Sequence, residues 1–192
     1  TCSTSSFTPC ASRALCEKIN VPYTVRETQI GRIIFDERRE KNPCALCSKM
    51  RRGALNTTMK EYGCNKLALG HHFDDAVETL MMSLVFEGRL NCFKPVTYMS
   101  RADVTQIRPL LYIGEQRSAN LAGQLDLPVV KSTCPMDHTS KRQEIKDLLT
   151  TLSVQYPDVR SKVFGAMQRL PLDGWGPTPH ERVKTRERKK EE

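Results

Sequence analysis

The stretch KLALGHHFDDAVETLMMSLV, residues 66–85, carries the strand-to-helix transition on which the predicted fold rests. Its apolar run up to Leu69 predicts a short β-strand, and Gly70 ends that strand. Apolar residues then recur at helical spacing and predict an amphipathic helix over residues 74–87. The predicted apolar stripe of this helix consists of Val77, Leu80, Met81, Leu84 and Val85. Ligands of open α/β sheets bind outside the carboxyl ends of the strands, so the residues from Gly70 onward are a candidate site.

Short apolar runs alternate with helical patterns on both sides of this stretch. Helices are predicted over residues 9–20, 48–62, 114–125, 140–152 and 158–168. Further strands are predicted over residues 21–25, 104–108 and 127–130. This alternation predicts βαβ units, and therefore an α/β fold with a mostly parallel sheet flanked by helices. We expect one domain over residues 1–170 and a basic, disordered tail over residues 171–192, where prolines and glycines break regular structure.

The composition is typical of a soluble globular protein with an excess of positive charge. The 192 residues are 39% hydrophobic and 27% charged, and the formal net charge is +8. No stretch approaches the roughly 20 consecutive apolar residues that a membrane span needs, so no membrane association is expected. Eight cysteines without a secretory signal indicate reduced thiols and a cytoplasmic location. The positive charge favours a polyanionic partner, above all nucleic acid. The alternative is that the charge only keeps the protein soluble.

The motif Cys44-Ala45-Leu46-Cys47 is a candidate metal site. Two cysteines at this spacing can bind one metal, as in zinc and iron–sulfur motifs, or can form a redox pair. A helix is predicted to start just after the motif, where backbone N–H groups favour anionic ligands. Cys134 is the best candidate for a third ligand because it follows a predicted strand. The competing candidates are Cys2, Cys10, Cys16, Cys64 and Cys92. His138 would complete the alternative, a zinc site of three cysteines and one histidine.

The segment Gly70-His71-His72-Phe73-Asp74-Asp75 is a second candidate site, at the strand-to-helix junction. The two acids suit the N-cap or first turn of a helix, where the positive end of the helix dipole stabilises their negative charge. Adjacent carboxylates beside imidazoles could also hold Mg²⁺ or orient a nucleotide. Basic residues cluster around the cysteine motif and are either a phosphate-binding surface or solvated helix faces. This basic set consists of Arg38, Arg39, Lys41, Lys49, Arg51 and Arg52.

Together, the segments CALCSKMRRGAL, LALGHHFDDAVETL, IRPLLY and TCPMD resemble the tRNA 2-thiocytidine synthase family of ATP-dependent tRNA thiolases. The resemblance runs from about Val21 to Arg169. It implies a Rossmann-like enzyme of the pyrophosphatase-loop ATPase group that adenylates cytidine at position 32 of the tRNA anticodon loop. Sulfur then replaces the activated oxygen with the help of a [4Fe-4S] cluster. The implied partners are tRNA and a sulfur donor such as a cysteine desulfurase, and a homodimer is common in the family.

The resemblance also implies roles for individual residues. Cys44, Cys47 and Cys134 match the cluster ligands, which leave a fourth iron open for incoming sulfide. Asp75 matches the catalytic acid residue, and Arg51 occupies a basic family position one helical turn after Cys47.

The same resemblance implies the residues of the nucleotide and tRNA sites. Gly70 and His71 line the nucleotide site, and Arg108 in the IRPL segment supports the ATP pocket, in which Mg²⁺ is the expected ion. The residues expected to bind tRNA are Lys49, Arg52, Arg38 and Arg39.

The chain departs from the family in its phosphate-binding loop. The family sequence SGGKDS is absent, and no GxxxxGKS or GxxxxGKT motif replaces it. We therefore expect a truncated or partly recorded enzyme that lacks the first strand and the phosphate loop and is inactive alone. The competing functions are a related tRNA sulfurtransferase or lysidine-type ligase acting on another base, and a non-catalytic, zinc-stabilised RNA-binding domain.

Overall fold

Helices make up most of the secondary structure of the protein, and short strands lie between them. A computed structural model describes residues 8–39, 41–129, 134–136 and 140–169. The helices in these ranges are α1 (Thr8–Lys18), α2 (Ile30–Arg32), α3 (Pro43–Glu61), α4 (Phe73–Glu87), α5 (Glu115–Gln124), α6 (Lys141–Gln155) and α7 (Val159–Arg169). A π-helical turn, Ile33–Glu37, continues α2. The strands are β1 (Lys66–Ala68), β2 (Val96–Met99) and β3 (Val104–Ile107).

The three strands form one sheet in the order β1–β3–β2, so β3 is the central strand. Strands β2 and β3 follow one another in the sequence and are joined through residues 100–103. The sheet is mixed, and with the helices it gives the α/β architecture that the sequence predicts. After β1, the backbone N–H of Leu69 donates to the carbonyl of Ile107 over 2.9 Å. This pairing holds the chain in register up to the candidate site that begins at Gly70.

Two of the predicted strands, at residues 21–25 and 127–130, are wrong. Residues 21–29 and 127–129 have irregular backbone, and residue 130 lies outside the described residues. Each run contains a proline, Pro22 or Pro128, which has no N–H to donate to a strand ladder. Strand β2 was not predicted, because its four residues give little periodic signal.

The predicted helices are present, and the largest difference lies at the start of α3. This helix begins at Pro43 rather than near residue 48, because proline is favoured at the first helical position. Helix α6 starts as predicted, with the Ser140 hydroxyl accepting a hydrogen bond from the backbone N–H of Gln143 over 3.4 Å. None of the described helices has both the length and the apolar character that a membrane span requires.

The chain divides into two compact units. The first unit comprises Thr1–Leu67, Ser100–Val104 and Gln116–Thr139, and the second comprises Ala68–Met99, Thr105–Glu115 and Ser140–Glu192. In the first unit, α3 packs against α2 and the π-helical turn, and the side chains of Ile30, Ile34 and Met59 are buried. The predicted tail, residues 171–192, lies outside the described residues, so its disorder stays a prediction.

The second unit has its core where α4, α6 and α7 pack against one another. The buried side chains of this core are Ala76, Val77, Leu80, Leu111, Ile145, Leu149, Phe164 and Met167. Val77 and Leu80 confirm the predicted stripe, and Met81 packs at the edge of the core. Leu84 and Val85 are exposed, contrary to the prediction, and the last buried residue of α4 is Ser83. The first half of α4 is therefore the part that packs into the core, and its first turn carries the acidic residues Asp74 and Asp75.

Candidate functional site

The first turn of α4 is closed by a capping box in which His72, not an aspartate, is the N-cap residue. The His72 Nδ1 accepts a hydrogen bond from the Asp75 backbone N–H over 3.4 Å. In return, the His72 backbone N–H donates to Asp75 Oδ2 over 3.0 Å. These reciprocal bonds satisfy two backbone donors of the helix start and fix the position of the Asp75 carboxylate.

Asp74, the neighbouring acid, has different partners in the same unit. Its Oδ2 accepts the backbone N–H of Glu115 over 2.8 Å, at the start of α5. Its Oδ1 accepts a hydrogen bond from Arg160 on α7 over 3.2 Å. Both bonds join parts of the scaffold, so Asp74 has a structural role.

Asp75 keeps part of its carboxylate accessible and has a cation beside it. The side chain is 24% exposed, so an approaching ligand can reach it. Its Oδ1 accepts a hydrogen bond from Arg142 on α6 over 3.3 Å. The same guanidinium contacts Glu78 and Thr79, which lie further along α4. Asp75 is thus a partly exposed carboxylate held by groups from two helices.

Arg142 and Glu78 are parts of this site that the sequence analysis missed. Glu78 is only 4% exposed, although glutamate is seldom buried without a partner. A weak signal existed in the position of Arg142, which lies in the first turn of α6. A cation there is disfavoured by the helix dipole, which suggests a use outside that helix.

His71 and Arg108 both contact the ring of Phe93. The His71 ring centroid is 4.9 Å from that of Phe93, and Arg108 Cζ is 4.7 Å from the same Phe93 centroid. Arg108 also donates a hydrogen bond to the carbonyl of Lys94. The structure therefore brings together two of the three residues predicted for the nucleotide site.

The protonation of His71 follows from this environment. Burial, and then the positive charge of Arg108, lower the pKa of His71 below its ordinary value of 6.5, while Asp75 acts in the opposite direction. Burial also lowers the pKa of Arg108. At neutral pH His71 is the uncharged imidazole. Within the described residues, His71 Nδ1 and Arg108 Nε are buried and have no hydrogen-bond partner.

Gly70 precedes this group and leaves room around the backbone. A Cβ built at Gly70 would meet no heavy atom within 4 Å, and the residue is exposed. The open backbone and the two unpartnered nitrogen atoms are suited to a polar ligand such as a nucleotide.

A cavity of about 360 Å³ in the second unit borders Arg142. Its lining residues are Thr79, Met82, Ser83, Glu87, Asn91, Cys92, Phe93 and Arg142. The Cys92 thiol donates to the carbonyl of Ala76 over 3.5 Å. Burial raises the pKa of Cys92 to about 11, so this thiol is protonated at neutral pH and does not act as a nucleophile.

The cysteine motif lies inside α3 rather than before it, with Cys44 as the second residue of the helix and Cys47 as the fifth. Cys44 is exposed and Cys47 is half-buried. Residues three apart share a helix face, so the two sulfurs lie on one side of the helix start. Cys134 is half-buried. Among the described residues, no three His, Cys, Asp or Glu side chains are arranged to hold a metal ion. The structure therefore does not gather Cys44, Cys47 and Cys134 into one site, and His138 lies outside the described residues.

The basic residues around the motif belong to the same first unit. Lys49, Arg51 and Arg52 lie on α3, and their side chains are exposed. Arg38 and Arg39 follow the π-helical turn and are exposed as well. Arg51 lies four residues after Cys47 and so on the same helix face.

Comparison with known proteins identifies relatives of this chain. Residues 4–152 match the family model of the PP-loop domain. The tRNA-cytidine(32) 2-sulfurtransferase of Pelobacter propionicus is 36% identical over 155 residues, which are 79% of this chain and 58% of that protein. The protein of the same name from Citrifermentans bemidjiense is 36% identical over 151 residues, 77% of this chain and 59% of the relative.

One solved structure extends these matches to the fold. The U34-tRNA thiolase NcsA from Methanococcus maripaludis, with its [4Fe-4S] cluster, superposes with a TM-score of 0.63 and 28% identity. The alignment covers 80% of this chain and 52% of the thiolase. The chain thus spans little more than half the length of these proteins, and the resemblance to tRNA thiolases found in its motifs is confirmed. Since the family model covers most of the sequence, the chain belongs to the PP-loop domain family.

Proposed function

We propose that the protein is an ATP-dependent tRNA sulfurtransferase that forms 2-thiocytidine at position 32 of the anticodon loop. The observation that carries the proposal is the partly exposed Asp75 carboxylate, which is fixed at the start of α4 in the same unit as the unpartnered nitrogen atoms of His71 and Arg108. Similarity to two tRNA-cytidine(32) 2-sulfurtransferases and to a U34-tRNA thiolase supports this choice of reaction.

ATP is the proposed activator of the base. His71 and Arg108, which both contact the Phe93 ring, would line the nucleotide site, and the open backbone at Gly70 would admit the nucleotide. Asp75 is the proposed catalytic acid residue, since a carboxylate is the ligand that the Mg²⁺ accompanying ATP prefers. Adenylation of the cytidine would make its oxygen a leaving group, which sulfur then replaces.

The proposed cluster ligands are Cys44, Cys47 and Cys134. Three thiols are a donor set that suits a [4Fe-4S] cluster, which supplies an open iron for sulfide when bound. Among the described residues, these three sulfurs are not gathered into one site. Arg51, on the Cys47 face of α3, is the second residue proposed to be catalytic.

The proposed tRNA-binding residues are Lys49, Arg52, Arg38 and Arg39. Their exposed side chains can neutralise phosphates, and the net charge of +8 favours the same partner. A sulfur donor such as a cysteine desulfurase, a homodimer and a cytoplasmic location complete the proposal.

Anaerobic reconstitution of the full-length protein tests this function. With unmodified tRNA, ATP and a sulfide source, we expect 2-thiocytidine at position 32, detected by mass spectrometry of the nucleosides. Asp75→Asn should lower the rate about 100-fold or more. Asp158→Asn, at an exposed carboxylate that forms an ion pair with Lys162, should change the rate little.

Three outcomes would contradict parts of the proposal. Thiolation of another nucleotide would identify a related tRNA sulfurtransferase instead. One zinc per chain bound by Cys44, Cys47, Cys134 and His138, with no thiolation by anaerobically prepared protein, would favour the zinc-stabilised RNA-binding domain. Retention of cluster absorbance by all three Cys→Ala variants would exclude the assigned ligands.

A further inference from the structure

Arg142 joins α6 to three acceptors on α4. Its Nη1 donates to Glu78 Oε2 over 2.9 Å and to Asp75 Oδ1 over 3.3 Å. Its Nη2 donates to Thr79 Oγ1 over 3.2 Å. The Thr79 hydroxyl uses its own proton to bond the Asp75 carbonyl over 2.6 Å, so it accepts from Arg142. One planar guanidinium thus engages the residues at the start of α4 as a fork.

Both oxygen atoms of the Asp75 carboxylate are held by protein donors. Asp75 Oδ2 accepts the His72 backbone N–H, and Asp75 Oδ1 accepts from Arg142. The first bond belongs to the helix cap, whereas the second comes from a helix 67 residues away in the sequence. Without Arg142, the carboxylate would keep only its Oδ2 contacts, with the backbone N–H and the Nε2 atom of His72, and Oδ1 would lose the hydrogen bond that fixes it.

Glu78 makes the cation necessary at this place. It lies one helical turn after Asp75, on the same face of α4, and its side chain is only 5% exposed. Two carboxylates at this spacing repel each other, and a buried carboxylate without a partner is unfavourable. Arg142 balances one of the two negative charges, so the group retains one net negative charge that a cationic ligand can meet.

We propose that Arg142 is a positioning residue that orients the Asp75 carboxylate for the ATP-dependent step. The inference rests on the function proposed above and adds to it a residue that acts through Asp75. Lysine cannot replace it fully, because a single ammonium lacks the rigid fork that reaches three acceptors at once.

The test separates orientation of Asp75 from neutralisation of Glu78. In the full-length protein, Glu78→Gln removes the buried charge and serves as the reference for Glu78→Gln/Arg142→Met, which folds without an unpaired buried carboxylate. We expect kcat of the double variant to be about 100-fold below that of the reference, the loss typical of a displaced catalytic group. The KM for tRNA should change less than about twofold. Glu78→Gln/Arg142→Lys should recover part of the lost kcat.

Equal kcat values for Glu78→Gln and Glu78→Gln/Arg142→Met would overturn the inference, because Arg142 would then only neutralise Glu78. The proposed function is judged on the wild-type protein alone, so the two failures are distinct. If the wild type forms no thiolated tRNA, thermal unfolding decides. Arg142→Met in the Glu78→Gln background should lower Tm more when Asp75 is present than when it is Asn. Equal losses of Tm in both backgrounds would overturn the inference, because the Arg142–Asp75 contact would then contribute nothing to stability.

Discussion

At the scale of single residues, the two adjacent acids of α4 serve different ends. Both carboxylate oxygens of Asp74 accept hydrogen bonds from scaffold groups, the Glu115 backbone N–H and the Arg160 guanidinium. Asp75 faces Arg142 and retains exposed surface. The sequence predicts both as residues of the first helical turn, and it cannot distinguish them, because their partners lie 41 to 86 residues away. Only the packing of α6 and α7 against α4 makes the difference.

His71 makes the stability of the protein depend on pH. Its pKa is lowered in the folded state, so the unfolded chain binds more protons as the pH falls through 6.5. Stability is therefore lost as the solution is acidified from about pH 7.5 to about pH 5.5. His71→Gln removes this group, and we expect the Tm of the variant to fall less than that of the wild type over the same pH interval. An equal fall of Tm in both proteins, measured by circular dichroism, would show that His71 is not desolvated.

At the scale of elements, the helices were predictable and the strands only partly so. Helices carry long periodic patterns such as that of α4, and their ends carry signals such as Ser140. The strands have three or four residues each, and the apolar runs at Pro22 and Pro128 imitate strands without being able to pair. The junction after β1 was predictable because it combines a strand, a glycine and a helix start. The fork of Arg142 was not, since it depends on which helices pack together.

Two adjacent leucines on α6 test the predicted packing. Leu149 is fully buried in the core of the second unit, whereas Leu148 is 39% exposed. Leu149→Ala should destabilise the protein by about 2–5 kcal/mol through lost contacts and a cavity. Leu148→Ala removes the same atoms from the same helix and should cost less than about 1 kcal/mol. Urea unfolding measures both, and similar losses would contradict the packing of α6 against α4 and α7.

At the scale of the whole molecule, the candidate residues are divided between the two units. The cysteine motif and the proposed tRNA-binding residues belong to the first unit, and the acidic junction belongs to the second. A positive net charge of +8 is spread over the chain, so charge alone does not identify the surface that meets a polyanion. An experiment must therefore distinguish binding of tRNA by particular residues on α3 from attraction by the net charge of the whole chain.

The salt dependence of tRNA binding makes this separation. Each phosphate contact that is lost lowers the slope of log K against log salt concentration by about 0.7–0.9. Lys49→Gln/Arg52→Gln should therefore weaken binding and lower the slope by about 1.5. The matched control is Arg26→Gln/Arg32→Gln, which removes the same charge from residues already paired with Glu61 and Glu37. We expect the control to leave the slope nearly unchanged in filter-binding titrations. If both variants lower it equally, the net charge and not the α3 surface binds the tRNA.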